Sequence, residues 1–313
     1  MPILERDPWR LQYFEGVACP EEVVIPTDEA EAYRLFPQYR HVHNKLWVAE
    51  SQGLVCGLHG IDPPAYPVFS KPVYNMRGMG TGGRVLRTPA GYQRFLRPGH
   101  FWMELLEGDH TSSDVAVVRG EARWWRHTTG LALADGMFDY WTVLAEARPE
   151  IESYGSAWIR EHLSDYTGIV NFETIGTRII EVHLRFADQW PDLYGEGWLE
   201  ALVRLYTEGT WDFADRDRRD GYSVVLFGAH DVAYRHPDPA VVERILERPD
   251  VTSVQITFHE DKPPWAHAMP PGGFRLAIVN GWDLDVGREA RQELALAFWS
   301  TQTLIERPRR RRP

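Results

Sequence analysis

The residues with the clearest chemical potential lie between Gly168 and Asp188, in the run GIVNFETIGTRIIEVHLRFAD. From Ile179 onward the run alternates. Ile180, Val182 and Leu184 are apolar, while Glu181, His183 and Arg185 are polar. A period of two reads as a half-buried strand that projects Glu181, His183 and Arg185 from one face. A second strand, Ile169 to Glu173, precedes it, with Gly176 in the short connection, so the pair reads as a hairpin. Loop length decides the chemistry. A two-residue turn would send Glu173 and Glu181 to opposite faces. A three-residue loop, Ile175 to Thr177, places Asn171, Glu173, Glu181 and His183 together, and is the expected form. Two carboxylates and an imidazole facing one another repel unless neutralised, and a hard divalent cation such as Mg2+ neutralises them through carboxylate oxygens. The competing reading is a sheet edge with solvated charges.

Cationic and glycine-rich segments lie upstream. Tyr66 to Tyr74 (YPVFSKPVY) reads as a strand carrying Lys71. It runs into NMRGMGTGGR, Asn75 to Arg84, where Gly78, Gly80, Gly82 and Gly83 place four glycines in six positions. Such a loop lets backbone N–H groups close over an anion. It matches neither the phosphate-loop pattern nor a well-formed GxGxxG, and a plain hairpin tip fits it equally well. Lys71 just upstream favours phosphate. Lys45 falls in the first turn of a helix read over His41 to Gln52, with Asn44 as candidate N-cap. The His41–His43 pair lacks a third ligand nearby, so a structural or surface role is expected.

The remaining elements have to position these groups. Asp28 to Leu35 and Thr88 to Phe95 read as short helices. Phe101 to Leu106, Thr111 to Val118 and Glu121 to His127 read as strands of an antiparallel sheet. Met137 to Ala147, Ser156 to Leu163 and Trp198 to Tyr206 read as helices. The charged run Trp211 to Asp220 marks a boundary. Beyond it, Tyr222 to Phe227, Val251 to Phe258 and Phe274 to Asn280 read as strands, with helices at Pro239 to Glu247 and Val286 to Trp299. The expected division is a short region 1–40, a core 41–213 with a loop at 75–84, an α+β unit 221–300, and a basic tail 301–313.

Composition excludes several classes. A net charge of −11 over 313 residues argues against a nucleic-acid partner, and the absence of a long apolar run argues against a membrane one. The tail Arg309 to Arg312 reads as a disordered solubilising segment. Two cysteines, Cys19 and Cys56, make no disulfide framework. With no signal peptide in evidence, a reducing, cytoplasmic setting is expected. No GxSxG and no HExxH occurs, which argues against serine and zinc hydrolases.

Taken in order, a strand lysine, a glycine-rich loop, an acidic strand ending in Glu-x-x-Glu-Gly and a hairpin ending in Ile-Ile-Glu-x-x-x-Arg resemble the ATP-grasp superfamily. The likeness is nearest to biotin carboxylase and the large subunit of carbamoyl-phosphate synthetase. It covers roughly residues 41–213, and more weakly 221–300. It implies an α+β (α/β) fold of two subdomains gripping ATP. By position, Lys45 and Lys71 resemble the phosphate lysines, and Gly78 to Gly83, including Gly80 and Gly82, the lid. Glu104 and Leu106 resemble the adenine-binding linker, and His110 the ribose contact. Glu173 and Glu181 resemble the metal-bridging acids, and Arg185 the arginine near the transferred phosphate. The implied cofactors are ATP and Mg2+, with Mn2+ as second candidate ion. The implied activity is an ADP-forming carboxylate–amine ligase acting through an acyl phosphate, with small-molecule carboxylate and amine substrates, and compatible with a homodimer. A regulatory ATP-binding protein with a decayed site, or a bicarbonate-using carboxylase or carbamoyl-phosphate type enzyme, are the alternatives. Two departures stand out: His183 occupies the position where the family has a metal-binding Asn, and the N-terminal region is short.

Overall fold

The computed structural model describes residues 8–76, 80–262, 267, 270 and 272–300. After a turn of helix, α1 (Pro8–Leu11), the chain enters α2 (Glu29–Leu35), where the Asp28 side chain accepts a hydrogen bond from the Glu31 N–H at 2.8 Å. That bond satisfies one of the open donors of a helix start. Asn44 does the same for α3 (Lys45–Glu50) by accepting from Trp47 N, and Thr88 for α4 (Pro89–Arg94) by accepting from Gly91 N. The helix expected over His41 to Gln52 therefore begins only at Lys45. Residues Pro37–His43 form a separate 3-10 turn, because Asn44 has extended backbone and cannot continue a helix through itself.

Four strands, β1 (Cys56–Leu58), β2 (Val68–Pro72), β3 (Arg84–Leu86) and β4 (His100–Glu104), build the smaller sheet in the order β1-β4-β2-β3. The larger sheet contains β5 (His110–Val118), β6 (Glu121–Ala132), β7 (Phe138–Val143), β8 (Gly168–Ile175) and β9 (Arg178–His183). It continues through β10 (Gly221–Gly228), β11 (Val251–Ile256) and β12 (Phe274–Gly281), in the order β11-β12-β10-β7-β6-β5-β8-β9. Helices α5 (Pro149–His162), α6 (Trp198–Glu208), α7 (Pro239–Leu246) and α8 (Leu284–Ser300) pack on it. No helix of the described residues is long and apolar enough to cross a membrane.

β5 and β8 are the pivot, because their alternate residues feed different cores. Val115, Val117, Val170 and Phe172 join Trp158 and Ile159 of α5 in one cluster. Ala116 and Ile169 join Tyr13, Trp190, Trp198 and Leu202 on the opposite face. Burial of each such large side chain favours the folded state by ~1.5–3 kcal/mol, so a register slip that exchanged the faces is strongly opposed.

Met137 to Ala147, expected as a helix, is instead the strand β7, held between β6 and β10. The run Phe-Asp-Tyr-Trp-Thr-Val is aromatic and β-branched, and it has ladder partners on both sides. β10 pairs directly with β7, so the strands of the segment after residue 220 extend the same sheet.

Candidate functional site

The hairpin of β8 and β9 places the acidic residues, by a route different from the expected one. Ile175 pairs with Arg178 and Thr174 with Ile179, so the turn contains only Gly176 and Thr177. Gly176 takes the left-handed conformation this tight turn needs, at φ +57°. The ladder then shifts, and Glu173 faces Glu181 while Asn171 faces His183. Ile180 is the extra residue, a β-bulge. The three-residue loop expected from the sequence is thus wrong. The bulge supplies the same change of parity, and the expected face is formed. Ile179, Val182 and Leu184 point into the cluster beside α5, while Ile180 turns to the other side and packs with Phe101 and Met103 beneath the smaller sheet.

Freed from regular pairing, the Ile180 carbonyl accepts a hydrogen bond from Lys71 Nζ at 2.8 Å. This ties β2 of the smaller sheet to the hairpin of the larger one. Between the sheets lies a cleft of about 520 Å³, whose wall includes Lys45, Lys71, Glu173, Glu181, His183 and Arg185. His110, Asn171, Gly80 and Gly83 line it too.

Glu173 Oε1 and Glu181 Oε2 lie 3.9 and 3.7 Å from His183 Nε2. One donor atom from each residue falls within 4.8 Å of the others. Each of these side chains is also held from behind. His110 Nε2 is 3.3 Å from Glu173 Oε2, Lys45 Nζ is 2.5 Å from Glu181 Oε1, and Glu29 Oε1 is 2.6 Å from His183 Nδ1. His183 is 5% exposed, and its Nε2 is buried with no hydrogen-bond partner. A buried nitrogen without a partner, aimed at two carboxylate oxygens, fits a divalent cation.

The electrostatics follow from this crowding. Burial acts to raise the Glu173 carboxyl, but the hydrogen bond and charge of His110, with His183 and Lys45, outweigh it and hold it at about 2. Burial disfavours a charged His183, and Glu29 reverses this and raises it. Burial of Glu29 is likewise overcome by His183 and Arg185, which hold it well below the usual carboxylate range. Lys71 goes the other way. Its burial outweighs the attraction of Glu181 and lowers it to about 8.

Glu29 is the residue that sequence reasoning missed. It opens α2, is 7% exposed, and touches His183, Arg185 Nε at 2.8 Å and His43 Nδ1 at 3.2 Å. Its only sequence signal is its place beside the capping Asp28, since the region 1–40 shows no chemical motif. The His41–His43 pair is divided by the fold: His43 supports Glu29, and His41 packs on the Trp47 ring.

Two expected contacts are not brought to the cleft. Glu104 Oε1 accepts a hydrogen bond from Val55 N at 2.9 Å, and Leu106 packs beside the cluster of Phe101 and Met103; neither lines the cavity. The loop segment just before β1 captures the carboxylate, a neighbour relation invisible in sequence. Gly82 sits against the Pro72 ring, behind Gly80 and Gly83. Gly78 lies outside the described residues.

A smaller sheet carrying a lysine, closed over a larger antiparallel sheet carrying an acidic hairpin, defines a class: the chain has the ATP-grasp fold. It is similar to L-amino acid ligase from Bacillus licheniformis, with TM-score 0.59 and 13% identity over 92% of this chain and 82% of that one. It is also similar to N5-carboxyaminoimidazole ribonucleotide synthetase from Thermus thermophilus, with TM-score 0.57 and 16% identity over 92% of this chain and 84% of that one. A third likeness is to the biotin carboxylase domain of Hydrogenobacter thermophilus 2-oxoglutarate carboxylase, solved with MgADP, ADP and bicarbonate. Its TM-score is 0.56 and its identity 13%, over 93% of this chain and 72% of that one. No protein-family model and no curated protein matches the chain.

Proposed function

We propose that the chain is an ATP-dependent carboxylate–amine ligase that works through an acyl phosphate and releases ADP and phosphate. One observation carries the reading: two buried lysines face an acidic hairpin across a single cleft, the arrangement that phosphoryl transfer requires. Lys45 and Lys71 would place positive charge on the phosphates, with Gly80 and Gly83 of the glycine-rich loop on the same cleft wall. Arg185 stands near the transferred group. Glu173, Glu181 and His183 would hold Mg2+ or Mn2+, which when bound offsets the charge of the phosphate oxygens. His110, on the cleft wall, would contact the nucleotide.

A free carboxylate is a poor electrophile, because amine attack would have to expel oxide. Phosphorylation turns that oxygen into a leaving group, and the lysines and Arg185 stabilise the charge that develops in the transfer. No cysteine or serine nucleophile takes part. The test is hydroxylamine in place of the natural amine, with ATP and a panel of amino acids and small acids. The expected result is hydroxamate in step with ADP and phosphate. AMP and pyrophosphate would show adenylation instead. ADP without hydroxamate, for every stimulating acid, would transfer the reading to a kinase or a bicarbonate reaction.

A further inference from the structure

The cation site is braced by the protein's own side chains, and its donors are not those of a site built for Mg2+ alone. We propose that Glu173, Glu181 and His183 form a nucleotide-independent site for a borderline-soft divalent cation of the Mn2+ or Zn2+ class, with Glu29 as the positioning residue that aims the His183 ring. The proposal concerns the cation site within the ligase reading, but it makes its own claim about the protein without nucleotide.

Three observations carry it. First, the donors converge. One atom each from Glu173, Glu181 and His183 lies within 4.8 Å of the others. Second, His183 Nε2 is buried, has no hydrogen-bond partner, and points at Glu173 Oε1 and Glu181 Oε2. A buried nitrogen in that condition is unfavourable unless something occupies the space in front of it. Third, Glu29 Oε1 stands 2.6 Å from the opposite ring nitrogen, Nδ1. A carboxylate there favours a proton on Nδ1, so a cation that displaces the proton of Nε2 would meet that nitrogen's lone pair, with the ring strengthened as a ligand. Glu29 is itself fixed by His43 and by Arg185, so the ring cannot turn away freely.

The carboxylates are braced in the same way. Lys45 takes one oxygen of Glu181 and His110 one oxygen of Glu173, leaving the inward pair for the cation. An imidazole nitrogen in the set shifts preference from Mg2+, which favours oxygen and keeps its waters, towards Mn2+ and Zn2+.

The experiment uses the full chain, stripped with a chelator and without nucleotide. MnCl2, ZnCl2 and MgCl2 are titrated separately by calorimetry, and bound Mn2+ is examined by electron spin echo for modulation from a directly coordinated 14N. The expected result is one site per chain, with Mn2+ and Zn2+ on the order of tenfold or more tighter than Mg2+, and a clear 14N signal. Glu29→Gln, which keeps shape and loses charge, should weaken Mn2+ and Zn2+ by about 10- to 100-fold. His183→Asn should abolish the 14N signal and bring Mn2+ and Mg2+ close to parity, with circular dichroism confirming both variants folded. Equal affinity for Mg2+ and Mn2+ in wild type would overturn the proposal. So would the absence of 14N coupling, or binding only after ATP is added. The two readings fail separately. Metal bound without nucleotide, but no ADP from any acid and amine, would sink the ligase and leave the site. Hydroxamate formed with Mg2+, with no cation bound by the free protein, would do the reverse.

Discussion

Replacing Lys71 by methionine should stabilise the free protein while destroying its response to nucleotide. Lys71 is 5% exposed, and burial lowers its ammonium from 10.5 to about 8. That difference, at ~1.4 kcal/mol per pH unit, means that holding the charge at pH 7 costs the folded state ~3 kcal/mol. Methionine has similar length and no charge, and it packs against the Phe101 ring that lies 5.8 Å from Lys71 Nζ. Against this, the Ile180 carbonyl loses its donor, at a cost of ~1–2 kcal/mol. The net gain near neutral pH is therefore ~1–2 kcal/mol. The pH dependence has a definite sign. Between pH 8 and pH 10.5 the unfolded lysine keeps a proton that the folded one has lost, so wild type gains stability as pH rises. The advantage of Lys71→Met should shrink across that window and reverse near its upper end, where only the lost hydrogen bond remains. Urea unfolding of both proteins at pH 7 and pH 9.5 measures this directly. A variant less stable than wild type at pH 7, or a difference that stays flat between the two pH values, would refute the reasoning. In parallel, ATP with a divalent cation should raise the melting temperature of wild type and have little effect on the variant.

Other expectations follow from the same geometry. Glu181→Gln keeps the volume but removes the charge facing His183 and Lys45, so turnover should fall by about 10²-fold or more with the far-ultraviolet spectrum unchanged, as steady-state ADP release would show. Asp114 accepts hydrogen bonds from Ala187 N, Tyr194 Oη and Asn171 Nδ2, so Asp114→Ala should lower stability by ~3 kcal/mol in urea melts at pH 7. Because burial pushes the Asp114 carboxyl up to about 6, its contribution is complete below pH ~4 and weakens as pH rises towards 6. The penalty of Asp114→Ala should therefore be larger at pH 4 than at pH 7, and the opposite trend would contradict the assignment.

Much of the site was legible because its cues are local. The Asn44 cap acts within one turn and forms as expected, the short helices read from Asp28 and Thr88 begin there, and the run from Ile179 to His183 is a strand, though Ile180 interrupts its alternation. Phe138 to Val143 was not legible as a strand, because it becomes one by finding β6 and β10 on either side, and those partners are set by the whole sheet. The same holds for Glu104, whose carboxylate goes to Val55 in the segment just before β1.

The sequence by itself determined which residue types could meet: two glutamates, a histidine and two lysines, with spacings that allow one cleft. Tertiary structure alone decided how they meet. The β8–β9 turn is two residues long, and Glu181 would face away were Ile180 not bulged. The bulge is stabilised from outside the hairpin, by the apolar cluster around Phe101 that receives the Ile180 side chain and by Lys71, which bonds its carbonyl. Glu29 reaches His183 only because α2 is docked there through His43 and Arg185. Strand parity and the orientation of an imidazole depend on contacts between distant segments, and no local pattern encodes them.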